Sequence, residues 1–159
     1  MAADSAGAND GTLLGGPLWQ PEGGIKDGAL LLDGMDDCVE TPFVLDPAAG
    51  PFSIFAWVQG GTPGQVIVSQ KEGLNWLCVD EATGVLRTDL RQPALSGRSP
   101  QPPGPPLLTS AVVTDGKWHR VGFVWDGSQR ILYVDDVEVA SDTQLGLEQA
   151  AGGLRLGAD

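Results

Sequence analysis

Every apolar stretch in this chain is short and is closed by residues that turn the backbone. No window places apolar residues at i, i+3, i+4 and i+7 over a useful length, so helices of ordinary length are not expected. The 23 glycines and 12 prolines among 159 residues act as punctuation: glycine supplies positive φ, and proline removes a backbone donor. Many short strands joined by many turns is the architecture such a chain can reach, which means a β-sandwich or β-barrel.

Candidate strands fall at 28–34, 37–42, 52–59, 64–70, 76–81, 84–90, 111–115, 119–126, 130–135, 137–141 and 153–157. Asp33-Gly34, Asp115-Gly116 and Asp126-Gly127 are turn dipeptides, with Asp bonding to nearby backbone and Gly taking the left-handed conformation. Asp126-Gly127 joins two strongly patterned runs, and Asp135-Asp136 joins two more, so residues 118–141 are read as a three-stranded meander. In FSIFAWVQ (52–59), Phe52, Ile54, Ala56 and Val58 share one face, and Phe55 and Trp57 lie on the other. With large apolar groups on both faces, this strand is expected to be central and covered on both sides. Trp57, Trp118 and Trp125, all in strong strand patterns, are assigned to the core. The stretch 91–108, with Pro102, Pro103, Pro105 and Pro106, cannot be a central strand and is read as a long exposed loop. Proline-rich peptide recognition is its minor alternative.

Length suits one domain over residues 1–159, large enough to bury a core without metal or disulfide staples. A formal charge of −12 and a pI near 4.2 repel phosphate backbones and anionic membranes, so nucleic-acid partners are not expected. No apolar run reaches the roughly 18 residues of a membrane-spanning helix. The N-terminal MAADSAGAND lacks the apolar core of a signal peptide. Cys38 and Cys78 lie in separate strand-like stretches. They are read first as two buried thiols, with a disulfide between them as the alternative. His119 is the one histidine, and neither a G-x-S-x-G elbow nor a phosphate-binding G-x-x-x-x-G-K-[ST] loop occurs. His119 is therefore taken as structural. Asp136 and Glu138 are two apart and could share a strand face as hydrolase carboxylates, but Asp136 also fits the hairpin turn. Catalysis is not expected.

Several segments, in order, resemble one family. DSAGANDGTL (4–13), GALLLDGMDDCVETP (28–42), FSIFAWVQ (52–59), TDGKWHRVGFVWDGSQRILYVDDVEVAS (114–141) and GGLRLGAD (152–159) are similar to the successive motifs of bacterial laminin-G-like jelly-roll domains, a concanavalin A-like group. Cys38 stands where that family usually has tyrosine, and Asp136 where it usually has glycine. The resemblance implies an all-β, two-sheet antiparallel jelly-roll sandwich. It also implies an extracellular or cell-surface module that binds carbohydrate or protein without catalysis. The family pattern runs on for a strand or two beyond the last motif here, so the sandwich is expected to lack its last strand. That gap would be open to strand donation from another chain or from a C-terminal extension. A structural module completed by a partner strand is the alternative function, and a glycoside hydrolase the remote one.

The resemblance also implies calcium, and brings two acidic segments together. Asp4, Asn9, Asp10, Asp33, Asp36 and Asp37 would supply the carboxylate and amide oxygens that the ion needs. The competing reading is that all six are turn residues. For a sugar platform, Trp19 and Trp76, which adjoin loops, are the aromatic candidates.

Overall fold

A computed structural model describes residues 1–97 and 100–157. The fold is almost entirely β. Its strands are β1 (Thr12–Leu14), β2 (Leu18–Gln20), β3 (Ala29–Leu31), β4 (Cys38–Glu40), β5 (Phe52–Gln59), β6 (Val66–Glu72), β7 (Asn75–Val79), β8 (Val85–Thr88), β9 (Leu107–Val112), β10 (Trp118–Trp125), β11 (Gln129–Val134), β12 (Val137–Thr143) and β13 (Ala151–Leu156), with one 3-10 turn at Pro47–Ala49. A seven-stranded sheet runs β1-β4-β13-β6-β7-β8-β9, and a four-stranded sheet runs β12-β11-β10-β5. β2 and β3 form a separate two-stranded ribbon. The pairings are antiparallel. This is the jelly-roll sandwich that the sequence led us to expect.

Alternation builds the interior. Val121, Phe123 and Trp125 of β10, with Leu132 and Val134 of β11, face Val68, Leu77, Val79 and Leu86 of the larger sheet in one buried cluster. Phe52 joins it, with ring centroids 4.9 Å from Trp76 and 5.6 Å from Phe123. The meander forms as read. Asp135 and Asp136 turn its second hairpin at φ 52° and 66°, the left-handed pair that a two-residue hairpin demands. Cys38 and Cys78 are separate, buried thiols. Burial, reinforced by the Asp89 carboxylate, pushes Cys78 up to about 12, which leaves it without nucleophilic character.

Three expectations are corrected. β5 is an edge strand, hydrogen-bonded to β10 alone among the described strands, and the two-layered sandwich covers only its Phe52/Ile54/Ala56/Val58 face. Trp57 consequently leaves the core and is 50% exposed. The proline stretch is a loop as read, but it ends earlier, because β9 begins at Leu107. Arg98 and Ser99 of that loop, and Ala158 and Asp159 of the last motif, lie outside the described residues.

Candidate functional site

The outer face of the four-stranded sheet carries a row of large side chains. Strand register explains the row: Trp57 pairs with Arg120, and Phe55 with Gly122. Gly122 pairs in turn with Tyr133, and Tyr133 with Glu138. Side chains directly opposite one another project from the same face, so Trp57, Phe55, Arg120, Tyr133 and Glu138 stand together. Gly122 is the dip that allows it. A Cβ there would come within 2.2 Å of the Phe55 ring, so any other residue would displace that ring. Phe55 lies 6.0 Å from Tyr133 by ring centroids and is 39% exposed.

Arg120 completes the platform. Its guanidinium carbon sits 4.5 Å from the centroid of Phe55, a cation–π contact, and the guanidinium is also ion-paired with Asp136. The Arg120 backbone N–H donates to Asp135 Oδ1 at 2.9 Å. His119 is held between two carboxylates, with Nδ1 2.8 Å from Asp135 and Nε2 3.0 Å from Asp115. Its pKa is raised, first by the Asp135 bond and then by Asp115, against an opposing desolvation. Asp135 is correspondingly lowered, chiefly by His119. Glu138 accepts from the Ser141 hydroxyl at 2.7 Å. Asp136, held in the turn by Arg120, and Glu138, engaged with Ser141, thus have structural partners of their own. The result is an aromatic, polar-rimmed surface, its Phe55 and Tyr133 rings tilted 47° to one another, on which the exposed Trp57 can stack against the C–H face of a sugar ring while charged and hydroxyl groups meet its edges.

The sequence-derived aromatic candidates separate. Trp76 is 1% exposed and packs on Phe52, so it is core and cannot serve as a platform. Strand β7 carries it inward. Trp19 is 61% exposed, but it stands on the β2–β3 ribbon, opposite Leu30. Its ring lies over Gly28, where a Cβ would come within 2.2 Å of it. The residues that sequence reasoning missed are Phe55, Trp57, Arg120 and Tyr133. Their signal was present in the second apolar face of FSIFAWVQ and in the glycine opposite it in HRVGFVWD.

The two acidic segments do not merge into one ligand set. Asp4 spends its carboxylate on its own loop, accepting from the backbone N–H of Ala6, Gly7 and Asn9, and these bonds lower its pKa. Asp10 Oδ1 accepts from Asp4 N–H at 2.7 Å, and Asn9 Nδ2 donates to Asp4 Oδ2 at 3.5 Å. Asp33, Asp36 and Asp37 do come together, with carboxylate oxygens within 4.8 Å of one another. There too one oxygen is occupied: Asp33 Oδ1 accepts from Met35, Asp36 and Asp37 N–H, which holds Asp33 below the usual carboxylate range, the Met35 bond contributing most. Asp37 Oδ2 accepts from Asp33 N–H.

Comparison with known proteins places the fold in a family. The family model described as the concanavalin A-like lectin/glucanases superfamily matches residues 33–159. Among solved structures, the chain is similar to domain 4 of AbnA, a GH43 extracellular arabinanase from Geobacillus stearothermophilus, in complex with arabinotriose. The likeness has a TM-score of 0.62 at 17% identity and covers 98% of this chain and 77% of that one. Comparison with curated proteins gives no match.

Proposed function

The chain belongs to the concanavalin A-like lectin/glucanase superfamily, and from that premise we propose that it is a non-catalytic carbohydrate-binding module of a secreted or cell-surface protein, reading neutral glycans on the outer face of its four-stranded sheet. The observation that carries this reading is the row formed by the exposed Trp57 and Phe55 and the half-buried Tyr133, fixed by Arg120 across Phe55 and Gly122. A ring-stacking surface prepared before binding lowers the ordering cost of the complex. The net charge of −12 disfavours acidic polysaccharides and leaves neutral ones. The structural likeness to a domain solved with arabinotriose makes neutral arabino-oligosaccharides the first probes. Calorimetric titration with arabinotriose and a panel of neutral oligosaccharides tests the proposal. Binding should be weakened at least tenfold in Trp57→Ala and in Tyr133→Ala, with melting temperatures close to the parent because both side chains are partly solvent-facing. Binding that survives both substitutions unchanged, or no binding across the panel at millimolar sugar, would remove the platform from consideration.

Calcium belongs to the same proposal, at Asp33, Asp36 and Asp37 alone. Three carboxylates are fewer ligands than the ion takes, so backbone carbonyls or water would complete its shell. An ion bound only by the native state must raise stability, by about 2.7 kcal/mol at a hundredfold excess over its dissociation constant. A melting temperature that is identical with calcium and with chelator, and unmoved by Asp36→Ala, returns these residues to the role of turn formers.

A further inference from the structure

We propose that proton uptake by His119 tunes the aromatic platform: the protonated ring clamps the β11–β12 turn against β10, the clamped turn fixes Arg120 over Phe55, and glycan affinity therefore falls as the ring loses its proton. The inference rests on the glycan reading of that platform and adds its regulation.

The β11–β12 turn grips Arg120 by both backbone and side chain. The Asp135 N–H donates to the Arg120 carbonyl at 2.8 Å, and the Arg120 N–H donates to Asp135 Oδ1 at 2.9 Å. Asp136 pairs with the guanidinium, whose carbon lies 4.5 Å from the Phe55 centroid. The turn that does this holding is itself strained, since Asp135 and Asp136 both adopt positive φ without being glycine. It keeps its shape through its partners, and His119 is one of them.

His119 also ties that turn to a second one. Its Nδ1 faces Asp135 Oδ2 at 2.8 Å, and its Nε2 faces Asp115 Oδ1 at 3.0 Å. Asp115 is anchored independently, by the Lys117 N–H at 3.0 Å and by Lys117 Nζ at 2.9 Å. The adjoining Gly116 donates its N–H to the Gly60 carbonyl at 3.1 Å and accepts from Gln59 Nε2 at 2.7 Å, so this loop is fastened to the end of β5. The charged groups around the ring are thus Asp115 and Lys117 from the preceding loop, Asp135 and Asp136 from the turn, and Arg120 from its own strand. β5 sets the uncharged Val58 opposite it.

The chemistry of the ring gives the direction. A protonated imidazole has a donor for each carboxylate. A neutral ring has one donor only, and its other nitrogen turns a lone pair toward a carboxylate oxygen. The link between the two turns then opens. Asp115 keeps Lys117, so the strained turn is the side that yields, and Asp136 yields with it. Arg120 loses its fixed place over Phe55, and a sugar must order both side chains as it binds. The raised pKa of His119, set first by Asp135, places this change above the ordinary histidine value of about 6.5. His119 is the one histidine of the chain, the side-chain type that ordinarily changes charge in the neutral range.

The test follows one signal without sugar and one with it. In NMR spectra between about pH 5.5 and 8.5, the Arg120 Nε–H and Phe55 ring resonances should shift with the midpoint of the His119 ring. Asp136→Asn should leave His119 titrating and uncouple the Arg120 shift from it. Calorimetric titration with arabinotriose and the neutral panel should show affinity about threefold to tenfold weaker at the alkaline end, as the competent fraction falls. In His119→Gln, which lacks the second donor, affinity should be independent of pH and close to the parent's alkaline value. The parent and Asp136→Asn measurements decide the matter even if His119→Gln folds poorly. Equal affinity at both ends, or an Arg120 signal that ignores His119, overturns the proposal and leaves the glycan reading standing. No binding at either end by any sugar of the panel overturns the glycan reading, and the affinity claim with it, whatever the NMR signals do.

Discussion

His119 is the residue whose charge state the fold constrains most visibly. Both ring nitrogens face carboxylates, Asp135 at 2.8 Å and Asp115 at 3.0 Å, so the protonated ring, with two donors, is the form that fits. Its pKa is raised in the native state, so its contribution to stability is complete below the unfolded value of about 6.5 and is lost as pH rises through the native value. Asp135 has the opposite sign: its pKa is lowered, and its contribution is present above about 3.9 and lost as pH falls through its native value. Thermal stability should therefore have a plateau between those limits and decline on its alkaline side, by less than about 1 kcal/mol because the site is partly solvated. His119→Gln should flatten that alkaline decline, and an NMR titration should give His119 a pKa above 6.5 that drops in Asp135→Asn. A normal pKa in the parent protein would mean that these contacts do not persist in solution. Other residue-scale roles were half legible. Alternation correctly divides residues 52–59 into two faces, but it carries no information about how many layers cover each face. That is why Trp57 was expected inside, while Trp76, assigned to the surface for its neighbouring loop, proves to be among the most buried side chains.

At the scale of elements, the β11–β12 hairpin separates two effects that usually travel together. Asp135 and Asp136 both adopt positive φ, so replacing either with glycine relieves a comparable backbone cost. Only Asp135 also receives the Arg120 N–H and the His119 ring. Asp136 has an exposed ion pair with Arg120, worth little in water. Asp135→Gly should therefore be less stable than Asp136→Gly by about 1 kcal/mol, read from paired urea melts. Equal midpoints would mean that the Asp135 carboxylate does no more than its neighbour. This hairpin was legible because each strand has a strict two-residue period and the turn has a sharp chemical signature. β1 and β2 were not: each is three residues long, too short for a period to show, and each exists through its partner, β4 or β3. The acidic loops were legible as turns from Asp and Asn alone. Whether two such turns share one ion depends on long-range placement, which local sequence does not encode, and the structure joins only Asp33, Asp36 and Asp37.

Across the whole molecule, the two sheets are joined by more than apolar contact. Arg130 of β11 is fully buried, paired with Asp142 of β12 through Nε at 2.8 Å and through a second guanidinium nitrogen. The remaining nitrogen donates to the backbone carbonyls of Leu90 and Pro105, at the two ends of the loop that links β8 to β9 of the larger sheet. One guanidinium thus anchors the small sheet to the proline-rich connection of the other. Arg is suited to this task, since its planar fork satisfies a carboxylate and still has donors to spare. Removing it in Arg130→Ala leaves the Leu90 and Pro105 carbonyls without this donor and Asp142, which is partly exposed and still accepts from Gln144, without its counter-charge, and should cost about 1–3 kcal/mol, chiefly from the Leu90 carbonyl. A simple buried ion pair can often be exchanged for apolar residues without loss, but here the exchange should fail. Arg130→Met with Asp142→Leu removes both charges, yet it cannot remove the buried Leu90 carbonyl, which costs about 1–3 kcal/mol when left unsatisfied, whereas the carbonyl of the exposed Pro105 can turn to water. The double variant should therefore remain destabilised by the cost of the Leu90 carbonyl, measured by equilibrium urea unfolding. If it matched the parent, Arg130 would serve only to neutralise Asp142, and the joint between the sheets would be apolar packing alone. If it stayed destabilised, the proline loop would be part of what holds the four-stranded sheet in place, because the carbonyls that fix Arg130 lie at its ends.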